Sequence, residues 1–229
     1  MAQIIFSIKY LFAIALVMLA PVAQAKDGWY FNLSGGLSLT DDSNVDIPSF
    51  APVIFGTTQG YGPVVLGSVG KKFPLGFRIE GEVSYRQNEF DDIKATGTAT
   101  VSGVTFTGTN VPTALGGNFN SLGFMANVAY DFMKGKNLHP FVLAGIGVAQ
   151  ISVDDAVVGN DPLADDDDLV LAYQVGGGIK YDLSEKIALG ISYRLFTTTD
   201  PEFIASDRTT AFSMEYLNHS MLLGLTYSL

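Results

Sequence analysis

The groups able to do chemistry in this 229-residue sequence fall into three sets. Asn218-His219-Ser220 puts an imidazole beside a hydroxyl, the parts of a general base and a nucleophile. Those parts cooperate only when they point the same way. Neighbours on a strand point to opposite faces, so Ser220 and His219 are expected on opposite sides of any sheet. The second histidine, His139, precedes Pro140 in a segment read as a turn. The next set is the run Asp154 to Asp168, whose seven Asp are hard oxygen ligands suited to Ca²⁺ or Mg²⁺. Their spacing matches no EF-hand loop, and the run reads first as a solvated, mobile, self-repelling loop. The third set is Arg78, Glu80, Glu82 and Arg86, joined by Lys180 and Arg194 from later segments. With no cysteine, the chain has no disulfide, thiolate metal site or cysteine nucleophile. None of these patterns specifies a catalytic, cofactor or metal site, so the expectation is a non-enzymatic protein without a cofactor.

The elements that must carry these groups are strands. After residue 26 no apolar run approaches 18 residues; short segments alternate apolar and polar with period two between stretches rich in Gly, Pro, Asp, Asn and Thr. Phe31, Leu33, Leu37 and Leu39 share one face of the first segment, and Asn32, Ser34 and Ser38 take the other. Phe77 and Ile79 likewise oppose Arg78, Glu80 and Glu82, and the closing segment carries Leu217, Met221, Leu223, Leu225 and Tyr227 on one side. Segments 61–72 and 141–151 alternate less cleanly and are dense in Gly and Val. The count reaches eight strands.

Residues 1–25 form an export signal: Lys9, an apolar run from Leu11 to Ala20, then Ala23-Gln24-Ala25 before the expected cleavage. Its loss removes Lys9 and makes the formal charge of −10 more negative still. Such an acidic chain repels nucleic acid, and no nucleic-acid partner is expected.

Connection lengths give the topology. Short links near 73–76, 133–139 and 183–186 alternate with long ones near 40–60, 87–118, 152–168 and 198–213. An up-and-down meander collects all long loops at one end and all short turns at the other. The pattern over residues 26–229 is that of an all-β, eight-stranded antiparallel up-and-down transmembrane β-barrel, with long extracellular loops, in a bacterial outer membrane. Most acids lie in the long connections, while Lys71, Lys72, Lys134 and Lys186 lie at or near the short-turn rim. Aromatics gather at both ends, with Trp29, Phe77 and Phe141 near the turns and Phe119, Tyr193 and Tyr216 near the loops, as interfacial belts would. A soluble lipocalin-like carrier would show the same period with its apolar face turned inward. The polar face argues otherwise, since Gly and Ser with Arg78, Glu80, Glu82, Arg86, Lys180 and Arg194 suit a narrow bore filled by side chains. Arg78 with Glu80, and Glu82 with Arg86, are expected to pair with each other or with Lys180 and Arg194 across the lumen. The Thr/Gly-rich stretch 95–117 is either a β-ribbon above the membrane or disordered.

The segments Trp29-Tyr30-Phe31-Asn32-Leu33-Ser34-Gly35-Gly36, Pro140-Phe141-Val142-Leu143-Ala144-Gly145-Ile146-Gly147, Gly190-Ile191-Ser192-Tyr193-Arg194 and His219 to Leu229 carry a family likeness. Together they make the chain resemble the small eight-stranded outer-membrane barrels, the OmpA-like and opacity-like porin-family surface proteins of Gram-negative bacteria. The resemblance implies contact with outer-membrane lipid and lipopolysaccharide, and engagement of the barrel-assembly machinery by the C-terminal strand. That strand usually ends in an aromatic residue, and here it ends in Leu229. No peptidoglycan-gripping domain is expected beyond it. Barrel deacylases place His and Ser two residues apart on one strand, a spacing that His219 and Ser220 do not have. Palmitoyl-transfer barrels need a His in the outer region, and neither histidine lies in a long loop. The function implied is a structural protein, surface antigen or adhesin that meets a host or environmental ligand through its acidic loops. The alternatives are a narrow channel for small solutes, and for the acidic loop a weak divalent bridge to lipopolysaccharide phosphates.

Overall fold

The computed structural model describes residues 28–41, 43–46, 54–101, 103–114, 116–133, 136–158, 161–206, 208 and 210–229. The expected export signal, residues 1–25, lies outside them. In chain order the strands are β1 (Trp29–Thr40), β2 (Ser43–Asp46), β3 (Ile54–Gln59), β4 (Tyr61–Lys72), β5 (Phe77–Val101), β6 (Val104–Ala114), β7 (Gly116–Asp131), β8 (Leu138–Val158), β9 (Asp161–Asp182), β10 (Ile187–Thr198), β11 (Glu202–Ile204), β12 (Ala211–Met214) and β13 (Leu217–Ser228).

Eight of these close a ring. β4, β5, β7, β8, β9, β10 and β13 pair antiparallel in succession, apart from β4, which reaches β13 through β1. The seam between first and last strands is continuous from Tyr30↔Ser228 to Thr40↔Asn218, so the barrel has no open edge there. Two glycines permit close strand approach: a Cβ on Gly36 would stand 1.8 Å from the Met221 carbonyl oxygen, and one on Gly62 1.6 Å from that of Gln87. At the turn between β4 and β5, Leu75 (φ 71°) and Gly76 (φ 98°) both adopt the left-handed region, and Phe73 N–H donates to the Phe77 carbonyl at 2.8 Å.

The direction of the alternation decides what kind of barrel this is. On β13, Met221, Leu223, Leu225 and Tyr227 are exposed, with Leu223 at 69%, while Asn218, Ser220 and Thr226 are buried. β1 repeats the pattern, with Leu33 and Leu37 outside and Ser34 and Ser38 inside, and so does β9, with Leu171, Tyr173, Val175 and Ile179 outside. A soluble protein does not leave so broad a belt of Leu, Ile, Val and Phe in water; hydrocarbon must cover it. The lipocalin-like alternative requires the opposite facing.

Two sequence expectations are corrected. The long connections are mostly strand. β5 pairs with β6 from Asp92↔Ala114 to Val101↔Val104, so of the two readings of the Thr/Gly-rich stretch the ribbon holds. β8 and β9 continue pairing up to Val158↔Asp161, so the acidic run lies within a paired hairpin and not a free loop. Once a barrel has fixed the register, each further rung costs little chain entropy, and pairing persists through residues of modest β-propensity. β2, β3, β11 and β12 add a second sheet at this end, ordered β11-β12-β2-β3-β5. The aromatic belt also loses members: Phe119, Phe141 and Tyr216 are buried inside, at 1%, 6% and 2% exposure.

Candidate functional site

The barrel interior is built in layers, because each inward position on one strand sits level with inward positions on its neighbours. The polar spine is β5, whose inward residues are Arg78, Glu80, Glu82, Ser84, Arg86 and Asn88, all buried.

Near the short-turn end, Tyr30 Oη donates to Glu80 Oε1 at 2.5 Å and accepts from Arg78 Nη1 at 2.8 Å. Arg78 also pairs with Glu80 directly, and its Nε lies 2.8 Å from Asp131 Oδ2. Residues two apart on a strand stand about 7 Å apart on one face, within reach of two long side chains. Lys180 Nζ sits 5.5 Å from the Tyr30 ring and 5.0 Å from the Phe141 ring, in cation–π range of both.

One layer further in, Glu82 is the hub. Its Oε2 accepts from Asn127 Nδ2 at 2.9 Å and Arg194 Nη1 at 3.2 Å, and its Oε1 accepts from Gln174 Nε2 at 3.1 Å. Gln174 Nε2 also donates to Asn127 Oδ1 at 2.7 Å. Groups from β5, β7, β9 and β10 thus meet across the bore.

Arg86, above this, does not pair with Glu82 as a same-strand reading allows. Four residues span about 13 Å along a strand, too far for the two side chains to meet, and Glu82 turns to Arg194 instead. Arg86 is fully buried, donates from Nη1 to Ser84 Oγ at 2.8 Å, and lays its guanidinium 4.1 Å from the Phe196 ring centre. Lys180 likewise has no carboxylate partner at ion-pair distance among the described residues.

The long-hairpin half of the interior holds an apolar cluster among buried polar residues such as Asn88, Ser121 and Asn218, and the sequence reading missed that cluster. Phe119, Met125, Ile151, Phe196, Phe203, Met214 and Tyr216 form one buried cluster. The signal was present in β8, whose uneven alternation reflects a strand apolar on both faces, one toward lipid and one toward this cluster.

β11 and β12 bring Phe203 and Met214 into the cluster and cover this end of the barrel. The acidic run holds that cover in place. Asp168 Oδ2 accepts from Glu202 N–H at 3.0 Å, Asp166 Oδ2 accepts from Ile204 N–H at 2.8 Å, and Ala164 bridges to Ala205. Asp167 Oδ2 accepts from Gln150 Nε2 at 2.7 Å and Asp154 Oδ2 from Asn120 Nδ2 at 2.5 Å. Four of the run's carboxylates are therefore hydrogen-bond acceptors within the protein. Burial within the hairpin, reinforced by Asp165, Asp155 and Asp167, pushes the Asp154 carboxyl above the ordinary Asp range despite the Asn120 bond.

His219 and Ser220 face opposite ways. His219 points outward, with Nε2 3.2 Å from Asp41 Oδ1 and Nδ1 bonded to Tyr193 Oη. Ser220 is buried and donates to Asn218 Oδ1 at 2.8 Å. His139 Nε2 stands 2.7 Å from Asp182 Oδ2 at the short-turn end.

Residues 11–228 match the family described as outer membrane protein beta-barrel domain. No curated protein matches. Among solved structures, the chain is similar to Neisserial surface protein A at 14% identity and a TM-score of 0.51, covering 89% of this chain and 98% of that one. It is also similar to the outer membrane protein OprG from Pseudomonas aeruginosa at 13% identity and a TM-score of 0.54, covering 90% and 99%. At such identities the likeness extends to the fold alone.

Proposed function

The chain belongs to the outer membrane β-barrel family, and from that premise we propose that it is a non-enzymatic surface protein, an adhesin or antigen, which presents its prolonged hairpins on a plugged barrel. The observation that carries this reading is the Glu82 hub, where side chains from β5, β7, β9 and β10 meet across the bore. A barrel filled by its own ion pairs is a rigid pedestal, and variable contact then belongs to what stands on it. The β5–β6 and β8–β9 hairpins project beyond the lipid-facing belt and face outside the cell, after export and cleavage near Ala25. The barrel is held among lipopolysaccharide and other lipids of the outer membrane and is handed there by the assembly machinery, which engages β13.

Shortening both hairpins tests the reading, by replacing 92–114 and 154–166 with tight turns. Binding of whole cells to the host or environmental surface they colonise should fall to the level of cells lacking the protein, while the heat-dependent gel shift of the folded barrel persists. Undiminished adhesion with a folded truncated barrel would overturn it.

A further inference from the structure

The interior of the barrel does not balance its charge. Among the described residues, the cations within its walls are Arg78, Arg86, Lys180 and Arg194, and the carboxylates are Glu80 and Glu82, with Asp131 nearer the rim. Positive charge left without a counter-charge is costly in a narrow space enclosed by hydrocarbon. Arg78 and Arg194 each have a carboxylate partner, whereas Arg86 and Lys180 have none at ion-pair distance among the described residues. A cavity lies against Arg78, Lys180 and Arg194, with Ser34, Ser192 and Thr226 as hydroxyl neighbours. Arg78 and Arg194 are 1% and 3% exposed, and Arg78 Nη2 and Arg194 Nε have no hydrogen-bond partner among the described residues. The lining therefore offers an ammonium with no carboxylate at ion-pair distance among the described residues, two guanidiniums that each keep an orphaned N–H, and several hydroxyls, while the nearby carboxylates are already engaged, Glu80 by Arg78 and Tyr30, Asp131 by Arg78 and Glu82 by Arg194. The space suits a body of roughly water size and is too small for a sugar or a nucleotide. Asn32, Lys180 and Ser192 keep part of their surface accessible, so the cavity is open to exchange with solvent.

We infer that the cavity bounded by Arg78, Lys180 and Arg194 is a binding site for a small monovalent inorganic anion of halide size, which completes the charge balance of the plug. The site is independent of what the hairpins bind. Bromide serves as the probe. In crystals of the full-length mature protein grown with sodium bromide, an anomalous peak should lie between Lys180 Nζ and the Arg194 guanidinium. Binding should also favour the folded state: at bromide ten times its dissociation constant, the folding equilibrium gains roughly tenfold over equal ionic strength of sodium gluconate, an anion too large to enter. That gain, read from the temperature of the heat-dependent gel shift, should vanish in Lys180→Met, and Lys180→Gln serves if the first variant folds poorly. Bromide found only on the protein surface, a gel shift indifferent to the anion, or a halide dependence undiminished without Lys180 would each overturn the assignment.

Discussion

Removing the Glu82 carboxylate is the sharpest perturbation of the plug. Glu82 is 2% exposed and accepts three hydrogen bonds, from Asn127, Gln174 and Arg194, the last of these 3% exposed. Glu82→Ala takes from the buried Arg194 guanidinium its hydrogen-bonded carboxylate and leaves two amide groups short of an acceptor. Breaking a buried ion pair from one side costs about 3–5 kcal/mol. That is roughly two to four orders of magnitude in the unfolding equilibrium, since each factor of ten is about 1.4 kcal/mol. The opposite holds when both charges go together. Glu82→Met with Arg194→Met replaces the pair by apolar side chains of similar volume, a change that is often neutral or stabilising. The double variant should therefore be more stable than Glu82→Ala, and the cycle of the unsubstituted protein, Glu82→Met, Arg194→Met and the double variant reads the coupling directly. Urea unfolding in lipid vesicles, followed by the gel shift and tyrosine fluorescence, measures these four proteins and Glu82→Ala. A loss under about 1 kcal/mol for Glu82→Ala, or a double variant as unstable as the two single losses added, would refute an ion pair at the centre of the bore.

Three further outcomes follow from the geometry. Leu223→Arg, at a position 69% exposed on the lipid face of β13, should cost about 2–4 kcal/mol in vesicle unfolding if it lies near the bilayer midplane, whereas a soluble barrel would tolerate it. Asp166→Ala and Asp168→Ala remove the acceptors of the Ile204 and Glu202 amides, so those two amides should exchange faster by NMR while amides deep in β13 keep their protection. Because burial raises the Asp154 carboxyl, the folded hairpin binds a proton more readily than the unfolded chain. The contribution of Asp154 to hairpin stability should thus be full below the ordinary Asp range and be lost as pH rises through the raised value. Amide protection across 150–168, corrected for intrinsic exchange, should show that decline and lose most of it in Asp154→Asn.

What the sequence made legible was whatever a period of two encodes. Leu33 and Leu37 against Ser34 and Ser38, or Ile79 against Glu80, announce which face meets lipid, and the six charged residues of the bore are inward for the same reason. Partner choice across the bore was not legible. Whether Glu82 meets Arg86 or Arg194 depends on ring closure and stagger, which bring β10 opposite β5, and no local spacing carries that information. The apolar cluster was marked only by the uneven alternation of β8, because spacing alone does not tell whether apolar residues such as Ile151 and Val153 meet lipid or one another. The β8–β9 hairpin was hidden for a third reason. Asp165 to Asp168 have low strand propensity, and their pairing with β8 is imposed by the register of the barrel below.

Side chains of the barrel itself close the bore, and single-channel recording of the refolded protein in a planar bilayer reads that closure without an intermediary. A closed bore gives no steady conductance step in potassium chloride at any moderate voltage. Reproducible steps of one amplitude from the folded, heat-modifiable species would contradict it, and would make the barrel a channel and not a pedestal.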